Sequence, residues 1–194
     1  MVDLSKYAGI VFDMDGTLID SMGSHLQAWQ QTCEYYDIPF DRDYMYSLGG
    51  VPTLNIAKRL IDKHQVQHDP ADIAARKKSQ WQGLAHKPET IKATVEILKA
   101  NHGILPMGVG TGSERAHAMD LLGNTGLLEW LDTVVTATDV KQGKPHPETF
   151  LTVAENMGVK ASECVAFEDT DIGRQAAERA GMDCIMVVDG KIVE

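Results

Sequence analysis

Positive charge is scarce in this sequence. Its 18 Lys+Arg face 28 Asp+Glu, for a formal net charge of −10 and a pI of about 5.1. So acidic a chain repels a phosphate backbone or an anionic bilayer, which argues against general nucleic-acid or membrane-surface binding. One small phosphorylated ligand remains possible where cations are concentrated locally. Long apolar runs are missing too: none approaches the roughly 20 residues that span a bilayer. The opening MVDLSKYAGIVFDMDG has no basic stretch, long apolar core and small-residue cleavage site in succession, so a cytoplasmic location is expected. The three cysteines, Cys33, Cys164 and Cys184, are odd in number, far apart and form no C-x-x-C. That speaks against a disulfide framework and against a zinc site, and predicts three small buried hydrophobes. Internal repeats and low-complexity segments are absent.

What is present is the mix of a globular protein, 43% hydrophobic and 24% charged over 194 residues. That length suffices for one α/β core and a modest second lobe. Short, continuously apolar runs stand at Gly9–Phe12, Leu105–Val109, Thr133–Thr136, Cys164–Phe167 and Cys184–Val188. Such runs suit strands covered on both faces. Helix-length stretches link them, and those at Thr149–Met157 and Asp171–Ala180 each end at a glycine, Gly158 and Gly181. The expected fold class is α/β, a doubly wound parallel sheet. One interval breaks the alternation. Between residues 13 and 104 nothing reads as a strand, while Ser21–Asp37, Thr53–His64 and Pro70–His86 read as helices. Leu26, Trp29, Cys33 and Tyr36 fall on one face of the first. After Pro88 the helix Glu89–Asn101 re-enters the core. The expected division is a core of residues 1–19 and 88–194 and an α-helical cap of residues 20–87.

The chemistry-bearing residues cluster where strands end. Asp13 and Asp15, in Phe12-Asp13-Met14-Asp15-Gly16-Thr17, follow the first run, at the carboxyl end where open α/β sheets bind ligands. Alone, such a pair also serves as a turn or helix cap. Gly110-Thr111-Gly112-Ser113 follows the second run and offers a hydroxyl and backbone N–H groups to a phosphate, with Ser113 also placed to cap a helix. Lys144, in Gly143-Lys144-Pro145, follows the third, and Glu168-Asp169 the fourth.

Four motifs in this order, D-x-D, Thr, Lys and an acidic pair, resemble the haloacid dehalogenase superfamily over essentially the whole chain, the helical insert matching its small cap. The resemblance implies a phosphatase in which Asp13 attacks phosphorus and Asp15 is the acid and base. It implies Mg²⁺ held by the Asp13 carboxylate, the Asp15 backbone carbonyl and Asp169, with Glu168 ligating or holding a water. Thr111, the Gly112 N–H and Lys144 would stabilise the transferring group. From the residues alone, four clustered acids repel one another and a phosphate dianion, and a hard divalent cation with Lys144 relieves that repulsion.

Within the superfamily the chain resembles the β-phosphoglucomutase-like branch, and there the small bacterial phosphatases of fructose 1-phosphate and related phosphosugars. That implies a small phosphorylated sugar as partner, no nucleic acid or membrane, and a monomer. It also implies substrate contacts from the cap: His25, Gly50, Thr53, and Lys78 reaching into the cleft. Asp20-Ser21 fits the first hinge. Mutases of the branch carry an arginine where Thr53 stands, holding the substrate's second phosphate, so hydrolysis is expected over isomerisation, with β-phosphoglucomutase the alternative. A phospho-receiver domain shares the strand-end Asp, Thr and Lys but needs neither Asp15 nor a lid. A dinucleotide-binding reading of Gly108-Val109-Gly110-Thr111-Gly112 fails because Ser113 replaces the last glycine.

Overall fold

The computed structural model describes residues 2–84 and 88–193. Its main sheet has the order β5-β4-β1-β6-β7-β8, formed by β1 (Gly9–Phe12), β4 (Met107–Gly110), β5 (Thr133–Val135), β6 (Cys164–Glu168), β7 (Asp183–Val188) and β8 (Lys191–Val193). All neighbours pair in parallel except β7 and β8, a closing antiparallel pair joined through Asp189 and Gly190, both at positive φ. Continuous apolarity in β1 reflects burial on both faces. Ile10 and Phe12 join one cluster with Leu98 of α5 (Lys92–Asn101) and Leu122 of α6 (Arg115–Asn124). Val11 joins another with Phe150 of α7 (Glu148–Met157) and Ala177 of α8 (Asp171–Arg179). The expected doubly wound α/β architecture is what forms.

From β1 the chain winds through β4 to β5, then returns to β6 on the other side of β1. The reversal lies between β1 and β6, so Asp13 and Glu168 flank the crevice that such a switch opens.

Among the described residues four helices lie between residues 20 and 89: α1 (Met22–Tyr35), α2 (Arg42–Ser47), α3 (Thr53–His64) and α4 (Pro70–Gln82). They close over their own cluster, which includes Leu26, Trp29, Cys33, Leu60 and Ile73. Asp69 caps α4 by accepting from the Ala71 N–H, with Pro70 in the first turn.

Several boundaries differ from expectation. The interval taken as strand-free holds β2 (Ile19–Asp20) and β3 (Glu89–Thr90), an antiparallel pair where the chain leaves and re-enters the core. The helix expected from Glu89 therefore starts at Lys92. Too short for periodicity, β2 and β3 exist because each finds the other across the insert. The first cap helix stops at Tyr35, and Asp37 takes a left-handed φ of 52°. The third stops at Gln82, and its expected end, His86, lies outside the described residues. Cys33 and Cys164 are buried, but Cys184 is only half-buried, because β7 lies toward the sheet edge. Among the described residues no helix is long and apolar enough to cross a membrane.

Candidate active site

The Asp13 N–H donates to the Phe167 carbonyl (2.9 Å), which seats Asp13 one residue beyond β1 at the middle of the rim. Lys144 reaches it from the loop after β5. Its Nζ donates to Asp13 Oδ1 (2.6 Å) and Glu168 Oε1 (2.7 Å) and lies over the Phe150 ring, 4.5 Å from the centroid. The other Glu168 oxygen accepts from the N–H and Oγ1 of Thr170 (2.7 and 2.9 Å), so both of its oxygens are engaged. Asp169 is the opposite case. Both of its oxygens are buried and meet no hydrogen-bond partner. Gly16, at φ 90°, gives it room: a Cβ there would fall 2.1 Å from Asp169 Oδ2.

Three carboxylates thus cluster around one ammonium, which bonds only two of them. Burial pushes the Asp169 carboxyl up to about 9, with the Asp13 and Glu168 charges adding to it. Burial also raises Asp13, to about 7, against the pull of Lys144. Burial opposes the Lys144 charge too, but Asp13 and Glu168 outweigh it and hold the ammonium above its ordinary range. A further cation is what this cluster calls for. Carboxylate oxygens of Asp13, Glu168 and Asp169 lie within 4.8 Å of one another, a hard, all-oxygen donor set that fits Mg²⁺.

The Asp15 side chain has a different environment. Oδ1 accepts from Ser21 Oγ and faces His25 Nε2 (3.1 Å), while Oδ2 accepts from Ser113 Oγ (2.7 Å). On its far edge, His25 Nδ1 meets Lys77 Nζ at 2.7 Å. An ammonium only donates, so Nδ1 accepts and the ring proton sits on Nε2, aimed at Asp15. Burial lowers His25 to about 4, helped by the Lys77 charge, and burial lowers Lys77 to about 8. Burial works against the Asp15 charge, but His25 outweighs it and leaves the carboxyl below its usual range. With His25 neutral at pH 7, what it gives Asp15 there is an N–H donor.

Asp13, Asp15, Gly50, Thr53, Thr111 and Gly112 line one pocket of about 50 Å³, which His25 also borders. Cap and core touch there: a Cβ on Gly112 would lie 2.1 Å from the Gly50 carbonyl oxygen, so only glycine allows the approach. Beside it a cleft of about 550 Å³ opens between α4 and α6, bordered by Trp81, Glu114, His117 and Asp120. His25, Thr53, Lys77 and Ser113 line both.

One sequence expectation needs refining and one needs correction. Lys78 borders the larger cleft, not the small pocket that holds Asp13 and Asp15. It is exposed and pairs with Glu114 at the edge of the larger cleft (3.2 Å), while its neighbour Lys77 is buried against His25. Counting by four from the buried Ile73 puts Lys77 and Trp81 on the inner face and Lys78 a hundred degrees away, a signal the helix period carries. Ser113 is not a helix cap. Glu114 occupies the N-cap position of α6 without a side-chain bond, and the Ser113 hydroxyl is spent on Asp15. Ser21, Ser113 and Lys77, which reach Asp15 directly or through His25, were not singled out for this site from sequence.

This geometry sits within a known family. A family model for haloacid dehalogenase-like hydrolases matches residues 10–187. The chain belongs to that family. The fructose-1-phosphate phosphatase YqaB of Escherichia coli (strain K12) is 42% identical over 182 residues, 94% of this chain and 97% of that protein. β-Phosphoglucomutase of Bacillus subtilis (strain 168) is 28% identical over 94% of this chain and 84% of its own. A solved structure from Bacteroides vulgatus superposes with a TM-score of 0.85 at 26% identity, covering 97% of this chain and 78% of that one. The chain is therefore an enzyme, a hydrolase consistent with phosphoric monoester chemistry.

Proposed function

We propose that the enzyme is a Mg²⁺-dependent phosphatase of a small phosphosugar, of the fructose 1-phosphate kind, acting through an aspartyl phosphate on Asp13. The observation that carries this is a contrast of environments. Two carboxylates two residues apart line one small pocket, Asp13 among acids that need a cation and Asp15 among hydrogen-bond donors. Environments so different give a nucleophile and an acid–base group from the same residue type.

Asp13 attacks phosphorus, and the sugar leaves as an alkoxide that takes a proton from Asp15. Asp15 gains that proton as the phosphate dianion arrives, because a nearby like charge raises a carboxyl's affinity for protons. Asp15 then takes a proton from the water that hydrolyses the aspartyl phosphate. Thr111, Gly112 and Lys144 hold the transferring oxygens. Mg²⁺, held by Asp13, the Asp15 carbonyl and Asp169, with Glu168 ligating or holding a water, would supply charge neutralisation for the phosphoryl group. Residues 20–87 are the cap in this reading, with His25, Gly50 and Thr53 on the substrate side.

The similarity to β-phosphoglucomutase keeps isomerisation as the second reading, and Thr53 decides between them. A mutase must retain a bisphosphate while it turns around. A bidentate arginine contributes about 1.5–3 kcal/mol to that grip, roughly a factor of 10 to 150 in dwell time, and threonine offers one neutral hydrogen bond. With β-glucose 1-phosphate and catalytic glucose 1,6-bisphosphate, free phosphate is expected to form faster than glucose 6-phosphate. The reverse order would make the enzyme a mutase.

Lys77 carries a separate expectation. Its folded pKa, about 8, lies below the ordinary 10.5. Below pH 8 both folded and unfolded chains hold the proton and the burial cost is complete. Between pH 8 and 10.5 the unfolded chain binds more protons, so stability rises with pH, by on the order of 3 kcal/mol in total. Lys77→Met should lack that rise and melt a few degrees higher at pH 7. Its turnover should fall about tenfold or more, since His25 loses the donor that fixes its tautomer toward Asp15. Parallel melting curves at pH 7 and 10 with kinetics on one substrate check both.

A further inference from the structure

His117 has no part in the reaction as described, yet its Nε2 is buried and without a hydrogen-bond partner. Its ring stands edge-on to His25, with centroids 5.6 Å apart, and edge-on to Trp81 at 4.8 Å. A nitrogen of His117, one of His25 and an oxygen of Asp15 all lie within 4.8 Å of one another. A buried ring nitrogen without a hydrogen-bond partner demands an explanation, and two imidazoles with a carboxylate form a donor set of a different kind from the all-oxygen cluster around Asp13.

We propose that Asp15, His25 and His117 form a second, inhibitory metal site, selective for a borderline transition ion such as Zn²⁺ over Mg²⁺. Two His nitrogens and one carboxylate with an open fourth position are a familiar zinc environment. Bonds of about 2.0–2.1 Å in a tetrahedron set ligand atoms about 3.4 Å apart, so the three must close by at most about 1.4 Å. Small side-chain rotations cover that distance. His25 and His117 border the large cleft between α4 and α6, which gives the ion a path from solvent. The proton balance also closes. The ion displaces the His25 Nε2 proton to solvent, Nδ1 takes one from Lys77, and Lys77 remains as an amine accepting from Nδ1–H. One proton leaves per ion bound. Once ligated, Asp15 can neither protonate a departing sugar oxygen nor take a proton from the water that hydrolyses the aspartyl phosphate, and the second step is needed with every substrate, so binding inhibits. That last step rests on the acid–base role proposed above for Asp15.

The test is calorimetric titration of Zn²⁺ into the full chain in saturating Mg²⁺, alongside turnover of p-nitrophenyl phosphate. Wild type is expected to bind one Zn²⁺ and to lose turnover in step with occupancy. His117→Phe keeps a ring against Trp81 and His25 but removes the nitrogen, and His117→Ala serves if that ring does not pack. Either variant should turn over normally in Mg²⁺ alone, bind Zn²⁺ at least about tenfold more weakly, and resist inhibition to the same degree. Equal Zn²⁺ affinity and equal inhibition in wild type and both variants would overturn the proposal and place the ion at the Asp13–Asp169 cluster. Zn²⁺ binding that depends on His117 but leaves turnover intact would uphold the metal site while overturning its inhibitory effect and the role of Asp15 as base toward the hydrolytic water.

Discussion

Asp13→Asn is expected to abolish both turnover and the capture of phosphate on the protein, a loss of about four to six orders of magnitude, as when an enzyme loses its nucleophile. The substitution keeps the shape but removes the charge, and an amide oxygen is a poor nucleophile toward phosphorus. It also takes one of two carboxylates from the buried Lys144, whose Nζ touches only Glu168 as a remaining charge partner among the described residues. The folded variant should therefore be checked by its melting curve before its activity is read. Asp15→Asn is the informative partner. An alkoxide from a sugar needs a proton, whereas a nitrophenolate does not, so Asp15→Asn should still be phosphorylated slowly by p-nitrophenyl phosphate. Mass spectrometry of the intact protein after rapid quenching reads the difference. Full activity in Asp13→Asn would end the aspartyl-phosphate mechanism.

Removal of divalent ions should have an effect of similar size. Without a cation, burial, with the neighbouring carboxylates adding to it, favours protons on the cluster of Asp13, Glu168 and Asp169 and pushes Asp13 and Asp169 up to about 7 and about 9. A protonated Asp13 is no nucleophile. After exhaustive EDTA treatment, turnover at pH 7 is expected to fall to background, Mg²⁺ to restore it, and Ca²⁺ to restore little. Calcium takes longer bonds and more ligands than magnesium and would hold the phosphoryl group out of line. Raising the pH of the stripped enzyme above 9 should deprotonate the cluster without rescuing turnover. Unchanged activity after chelation would remove the metal from the mechanism.

The class of fold was legible in local patterns. Five continuously apolar runs became strands with ends shifted by two residues or fewer, because a strand buried on both faces has little choice of composition. The cap helix at Thr53–His64 came out as expected, since its amphipathic period extends over three turns. The two-residue strands β2 and β3 were invisible, because neither has a pattern of its own and their pairing crosses the whole insert. That the buried lysine is Lys77, with Lys78 exposed beside it, needed more than the sequence: a helix's period is local, but which face turns inward is settled by Ile73 packing into the helical cluster.

By itself the sequence determined the rim chemistry of this enzyme. Asp13, Thr111 and Glu168 stand at or one residue past a strand end, and parallel pairing brings such ends together, while Lys144 arrives from the loop after β5. Only the tertiary structure decided what surrounds Asp15. Ser21 and His25 from the hinge and α1, Ser113 from the loop after β4, and Lys77 from α4 converge on it directly or through His25, although residues 15 and 113 are far apart in the chain. Their convergence depends on the approach of the helical insert to the sheet rim, where the Gly50 carbonyl closes against Gly112. That approach is set by residues far apart in the chain, and no local pattern records it.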